Sequence, residues 1–81
     1  MGYIVVEKNL RTGEVTRRGA YATNQEARLA LANALEALYD ANPALDFGDR
    51  PREIEDAFLD GQKDLPDASG TILYSLSIIQ E

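Results

Sequence analysis

The sequence predicts an α+β domain of order ββααβ, in which a three-stranded, mainly antiparallel sheet carries one long and one short helix on one face. Three observations lead there. Residues 3–22 and 71–80 are dense in β-branched and aromatic side chains at strand spacing. Residues 23–41 open on a capping box and continue with apolar residues at helical spacing. Residues 49–61 are framed by an Asp cap, a first-turn Pro and a closing Gly. A chain of 81 residues has room for one domain with one core, spanning 1–81.

The segment 3–22 is expected to be a β-hairpin. Tyr3-Ile4-Val5-Val6 forms the first run, and the second resumes at Val15 after Leu10-Arg11-Thr12-Gly13. Gly13 suits the left-handed position of a three-residue loop, which sets Leu10 opposite Glu14, Glu7 opposite Arg17 and Tyr3 opposite Tyr21. A slip by one would gather Ile4, Val6, Leu10, Val15 and Tyr21 on one face but set Lys8 against Arg17. The first register is the expected one.

Thr23-Asn24-Gln25-Glu26 has the spacing at which the Thr23 hydroxyl accepts from the Glu26 amide while the Glu26 carboxylate reaches back to the Thr23 amide. A long helix over 24–41 follows, with Ala27, Ala30, Leu31, Ala34, Leu35, Leu38 and Ala41 on its inner face. Asn42-Pro43 ends it, because the residue before proline is pushed out of helical geometry. Leu29 projects from the polar side as a surface leucine.

Over 50–60 a short acidic helix buries Ile54, Ala57 and Phe58 and sets Glu53, Asp56 and Asp60 on the opposite face, with Asp64 and Asp67 in the loop beyond. Asp60 sits at the C-terminal end, where a carboxylate opposes the helix dipole, which argues for a role outside the fold. In the final strand, 71–80, Ile72, Tyr74, Leu76 and Ile78 alternate onto the core. Thr71, Leu73, Ser75, Ser77 and Ile79 take the other face, where Leu73 and Ile79 are expected to join Tyr3 and Val5 as an apolar interface. With two helices returning the chain to the sheet, this strand runs antiparallel to the second or parallel beside the first, in a covered or paired position.

Charge is divided along the chain, whose net charge is −6. The first 28 residues hold Lys8, Arg11, Arg17, Arg18 and Arg28 against Glu7, Glu14 and Glu26; beyond them only Arg50, Arg52 and Lys63 face all the remaining carboxylates. Such a one-signed field steers a basic partner and repels nucleic acid. Cys and His are both absent, which removes disulfides, thiolate zinc sites, the cysteine nucleophile and the commonest metal ligand. No signal-peptide pattern, myristoylation site or membrane-length apolar run is present, so a cytoplasmic protein without membrane contact is expected.

Catalytic signatures are missing. Asp46-Phe47-Gly48 matches the magnesium-binding tripeptide of protein kinases, but the chain is too short for a kinase lobe and lacks the accompanying motifs. Glycines are scattered singly, and Asp60, Asp64 and Asp67 are too widely spaced for a calcium loop, leaving at most a weak cation site. Ser75, Ser77, Lys63 and the tyrosines stand at no spacing that pairs a nucleophile with a base. No enzyme activity, cofactor or structural metal is expected.

The expected function is an acidic protein-binding module, an inhibitor or adaptor. Its face of Glu53, Asp56, Asp60, Asp64 and Asp67 would mask a basic surface of a larger nucleic-acid-handling protein or nucleoprotein complex. In size, acidity and lack of Cys and of catalytic motifs, the chain resembles the small counter-defence proteins of phages and mobile elements, including anti-CRISPR proteins. That likeness is one of general character and rests on no motif. The alternatives are a homodimer or larger oligomer built on the apolar sheet face, and a small-ligand-binding domain. Lys8, Arg11, Arg17 and Arg18 form a basic hairpin cluster able to meet phosphates or an acidic groove, although direct nucleic-acid binding is not expected of so acidic a chain.

Overall fold

The N-terminal hairpin forms as β1 (Tyr3–Asn9) and β2 (Glu14–Tyr21) in the computed structural model, which describes residues 2–45 and 48–80. Asp46 and Phe47 of the kinase-like tripeptide lie outside the described residues. The loop is one residue longer than expected: Asn9 pairs with Glu14, Lys8 with Val15 and Val6 with Arg17. Asn9 accounts for this, since its Oδ1 accepts from the Arg11 and Thr12 amides and its carbonyl from the Gly13 amide. Tyr3 nevertheless pairs with Tyr21, because a bulge sets Gly19 and Ala20 against Ile4 and restores the expected register at the base.

Helix α1 (Asn24–Ala41) begins where the capping box places it, with Thr23 Oγ1 accepting from the Glu26 amide at 3.1 Å. The Glu26 carboxylate accepts from the Ala22 amide rather than that of Thr23. Asn42 closes the helix, its amide and side-chain nitrogen both donating to the Leu38 carbonyl, before a 3-10 turn over Pro43–Leu45. Ala32 and Tyr39 are buried beside the expected stripe, whereas Ala41 is exposed. The stripe is wide because a second helix packs along its flank.

That helix, α2 (Arg50–Asp60), is capped by Asp49, which accepts from the Arg52 amide. Gly61 ends it in the left-handed region at φ 70°, its amide returning to the Ala57 carbonyl. Ala57 is fully buried and Ile54 packs against the core.

The chain then departs from expectation. Residues beyond Gly61 form a strand, β3 (Gln62–Pro66), which pairs antiparallel with β4 (Ile72–Gln80). The sheet therefore has four strands in the order β2-β1-β4-β3, all antiparallel, instead of three. The extra strand also reverses the chain before β4, so β4 runs antiparallel beside β1, neither parallel to it nor against β2. Its two-sided apolar character fits this inner position between β1 and β3.

Both helices lie on one face. Helix α1 crosses β2, β1 and β4, and α2 packs beside α1 and against β3. Between the layers Val5, Leu31, Leu35, Leu65 and Leu76 are sealed from solvent within one cluster. Val5 is thus a core residue, and Tyr3 and Leu73 pack against the same cluster. Of the four residues expected to form an apolar interface, only Ile79 is exposed. Leu73 turns inward because a bulge sets it as an extra residue between the Leu65–Tyr74 and Pro66–Ile72 pairs, which leaves Ile72 at the surface.

Candidate binding surfaces

Side chains of paired strand residues share a face, so the register sorts the sheet. On the helix-free face one row runs Val15, Lys8, Ser75, Asp64 across β2, β1, β4 and β3, and the next runs Arg17, Val6, Ser77, Gln62. A third joins Ile4 to Ile79. This face is mixed: small at its centre, basic toward β2, acidic at β3 and apolar toward the Ile4–Ile79 end.

The proposed acidic face is divided by the structure. Glu53 is ion-paired with Lys63, which β3 directs to the helix side of the sheet. Asp67 builds the turn between β3 and β4. Its Oδ1 accepts from the Ser69 hydroxyl at 2.6 Å and from the Ser69 and Thr71 amides at 2.8 and 3.1 Å. The Ser69 hydroxyl, assisted by the backbone amides of the turn, holds Asp67 below the ordinary carboxylate value of 3.8.

A depressed pKa stabilises the fold above the unfolded-state value, and that contribution is lost as pH falls through the folded value. Asp67→Asn is therefore expected to be less stable than wild type at neutral pH, with the difference closing below about pH 4. Urea unfolding at several pH values checks this; a pH-independent difference would rule the charge out as its source.

Asp56, Asp60 and Asp64 have no hydrogen-bond or ion-pair partner among the described residues. Asp56 and Asp60 lie one turn apart on α2, and Asp60 and Asp64 line one polar recess with Gln62 and Lys63. Among the described residues no group of carboxylates converges closely enough to hold a metal ion.

The basic cluster is also split. Lys8 and Arg17 stand on the helix-free face. Arg18 pairs with Glu7 at 3.4 Å, and Arg11 donates to the Tyr74 hydroxyl and lies over its ring. One further basic residue, not singled out in the sequence, joins the helices. The Arg28 guanidinium donates to Asn24 Oδ1 and to the carbonyls of Phe58 and Leu59 at the end of α2. The signal was available, since a cation favours a helix C-terminus, but the meeting of Arg28 with that end is tertiary.

Two grooves flank the helices. One, between β2 and α1, is lined by Arg18, Tyr21, Leu29, Ala30 and Ala34, with Leu29 exposed as expected. The other, between the 3-10 turn and the β3–β4 turn, includes Leu45, Leu73, Arg11 and Asp67. Both charged residues of the second groove are already engaged within the fold.

These features define a two-layer α+β domain with an uncovered sheet face and an acidic edge. No protein-family model matches the chain, and the comparisons with curated proteins and solved structures found no similar one. No helix among the described residues is long and apolar enough to cross a membrane.

Proposed function

We propose that the protein is a non-enzymatic binding module, an inhibitor or adaptor that masks a basic surface of a nucleic-acid-handling protein. The observation that carries this is the pair Asp56 and Asp60, left without partners in a fold that engages Glu53, Asp67, Glu7 and Asp40 internally. The two carboxylates repel each other at i, i+4, and Asp60 opposes the dipole of its own helix. Their cost to the fold supports a role in recognition. Spaced carboxylates of this kind substitute electrostatically for phosphates and give fast, salt-sensitive association.

The test is affinity capture from cell lysate at low and high salt with wild type and with Asp56→Asn/Asp60→Asn. A basic protein that binds nucleic acid should be retained by wild type at low salt, released at high salt and displaced by added nucleic acid. The double variant should retain it about tenfold less. Its stability should stay level or rise by about 0.2–0.5 kcal/mol as the repulsion is relieved. Equal retention by both proteins would refute the reading.

A further inference from the structure

We propose that the outer edge of β2 is a self-association site, at which a second copy of the chain pairs antiparallel about a two-fold axis through Thr16 and extends the sheet across both copies. β2 ends the strand order β2-β1-β4-β3, and among the described residues no strand pairs with its outer side. On the next strand, the Leu10 amide donates to the Leu73 carbonyl of β4 at 2.9 Å. Backbone direction alternates along a strand, so Lys8 and Val6 also bond toward β4, while Asn9, Glu7 and Val5 bond toward β2. Their partners Glu14, Thr16 and Arg18 therefore direct their backbone groups at β1, and those of Val15 and Arg17 point outward. An exposed row of this kind is a template for a further strand.

Charge selects the register. Outward-pointing residues must face outward-pointing residues, so a two-fold pairing centres on one residue, which then stands opposite its own mate. Centred on Glu14, Arg17 or Arg18, it would set like charges opposite each other; centred on Val15, it would leave Glu14 and Arg18 facing no opposite charge. Centred on Thr16, it places Glu14 of each copy opposite Arg18 of the other, Val15 opposite Arg17, and Thr16 opposite Thr16. Val15 and Arg17 then exchange backbone hydrogen bonds, and Glu14, Thr16 and Arg18 form the close side-chain pairs on the helix side of the sheet. The Glu14 carboxylate has no partner among the described residues. Arg18 reaches Glu7 through Nη2, which leaves its other guanidinium donors for Glu14. Arg17 and its mate lie on a diagonal of the opposite, exposed face, where solvent screens them. The net charge of −6 on each copy opposes association, but the acidic β3 edge lies three strand spacings, roughly 14 Å, from β2, beyond the ~8 Å over which charge is felt at physiological salt. A contact confined to one strand edge is small, so the dimer is weak and concentration-dependent.

The chain has no cysteine, so single-cysteine variants report the register directly. Across the axis Thr16 and its mate have Cα atoms about 4.5 Å apart, within disulfide reach, whereas Val15 and its mate are offset to a diagonal of roughly 7–8 Å. Under mild oxidation at millimolar concentration, Thr16→Cys should be captured as a disulfide dimer at least about tenfold faster than Val15→Cys. In sedimentation equilibrium from low micromolar to millimolar concentration, the mass of wild type should rise toward that of a dimer. Glu14→Arg and Arg18→Glu should each weaken association about tenfold or more, and mixing the two variants should restore it, because both cross-axis pairs are then re-formed between unlike copies. Glu55→Arg, the same change of charge on exposed α2, should not weaken it. Circular dichroism would verify that each variant is folded. A wild type that stays monomeric at millimolar concentration, equal cross-linking at the two cysteine positions, normal association of Glu14→Arg, or a mixture no tighter than its components would each overturn the proposal. Asp56 and Asp60 are untouched in these proteins, so the outcome is independent of the masking function.

Discussion

Leu65→Ala is expected to destabilise the domain by about 2–5 kcal/mol, the range for emptying a sealed leucine site. Leu65 is 1% exposed and pairs with Tyr74 in the middle of the core, although its strand is short and at the sheet edge. Its neighbours Gln62, Lys63 and Asp64 supply no comparable burial, so this one side chain anchors β3 beneath α2 and the 3-10 turn. The loss would be a large part of the ~4–12 kcal/mol available to a chain of this length. Ile72→Ala, at an exposed apolar position on the partnering strand, serves as control and should cost far less. Chemical denaturation decides the matter. A loss below about 1 kcal/mol for Leu65→Ala would mean that β3 contributes little and that the domain rests on three strands.

Arg28→Met is expected to cost about 1–3 kcal/mol while leaving the fold intact, because it removes charge-assisted hydrogen bonds to the end of a helix and keeps most of the apolar stem. The guanidinium is held by Asn24 on its own helix and spans to the last carbonyls of α2, which have no intrahelical donors. Arg28→Lys should recover only part of the loss, since an ammonium lacks the planar fork needed to address both helices at once. Hydrogen exchange gives a second readout: amides at the C-terminal turn of α2 should lose protection before those of α1. Equal protection in both helices, or no loss of stability, would remove Arg28 as the link between them.

These two residues mark where sequence reasoning reached its end. Thr23 and Glu26, the Asp49 and Gly61 caps of α2, and the strand runs at 3–9 and 72–80 were legible because each signal is local. A cap is satisfied within four residues, and a turn glycine answers to its own backbone. Tyr3 opposite Tyr21 was also legible, but the path between them was not, since Asn9 enlarged the loop and the bulge at Gly19–Ala20 compensated. For the candidate site, the pairing of Asp56 with Asp60 followed from helical spacing. Which carboxylates were already engaged did not, because the partners of Glu53 and Asp40 come from residues ten positions away in sequence.

The class of the fold, the two helices with their caps, three of the strands and the uneven distribution of charge therefore follow from local signals along the chain. Tertiary structure decided the rest. Gln62-Lys63-Asp64-Leu65-Pro66 has no alternating apolar pattern and weak strand propensity, and it becomes a strand only because β4 offers it a row of backbone partners. Once it is counted, the direction of β4 reverses, the order becomes β2-β1-β4-β3, and Val5 passes from the expected interface into the core. Strand parity is a property of the whole chain path, and a shift of one residue exchanges the faces of a sheet. Faces and partners are for that reason set by long-range pairing, which no local signal in β1 or β4 could specify.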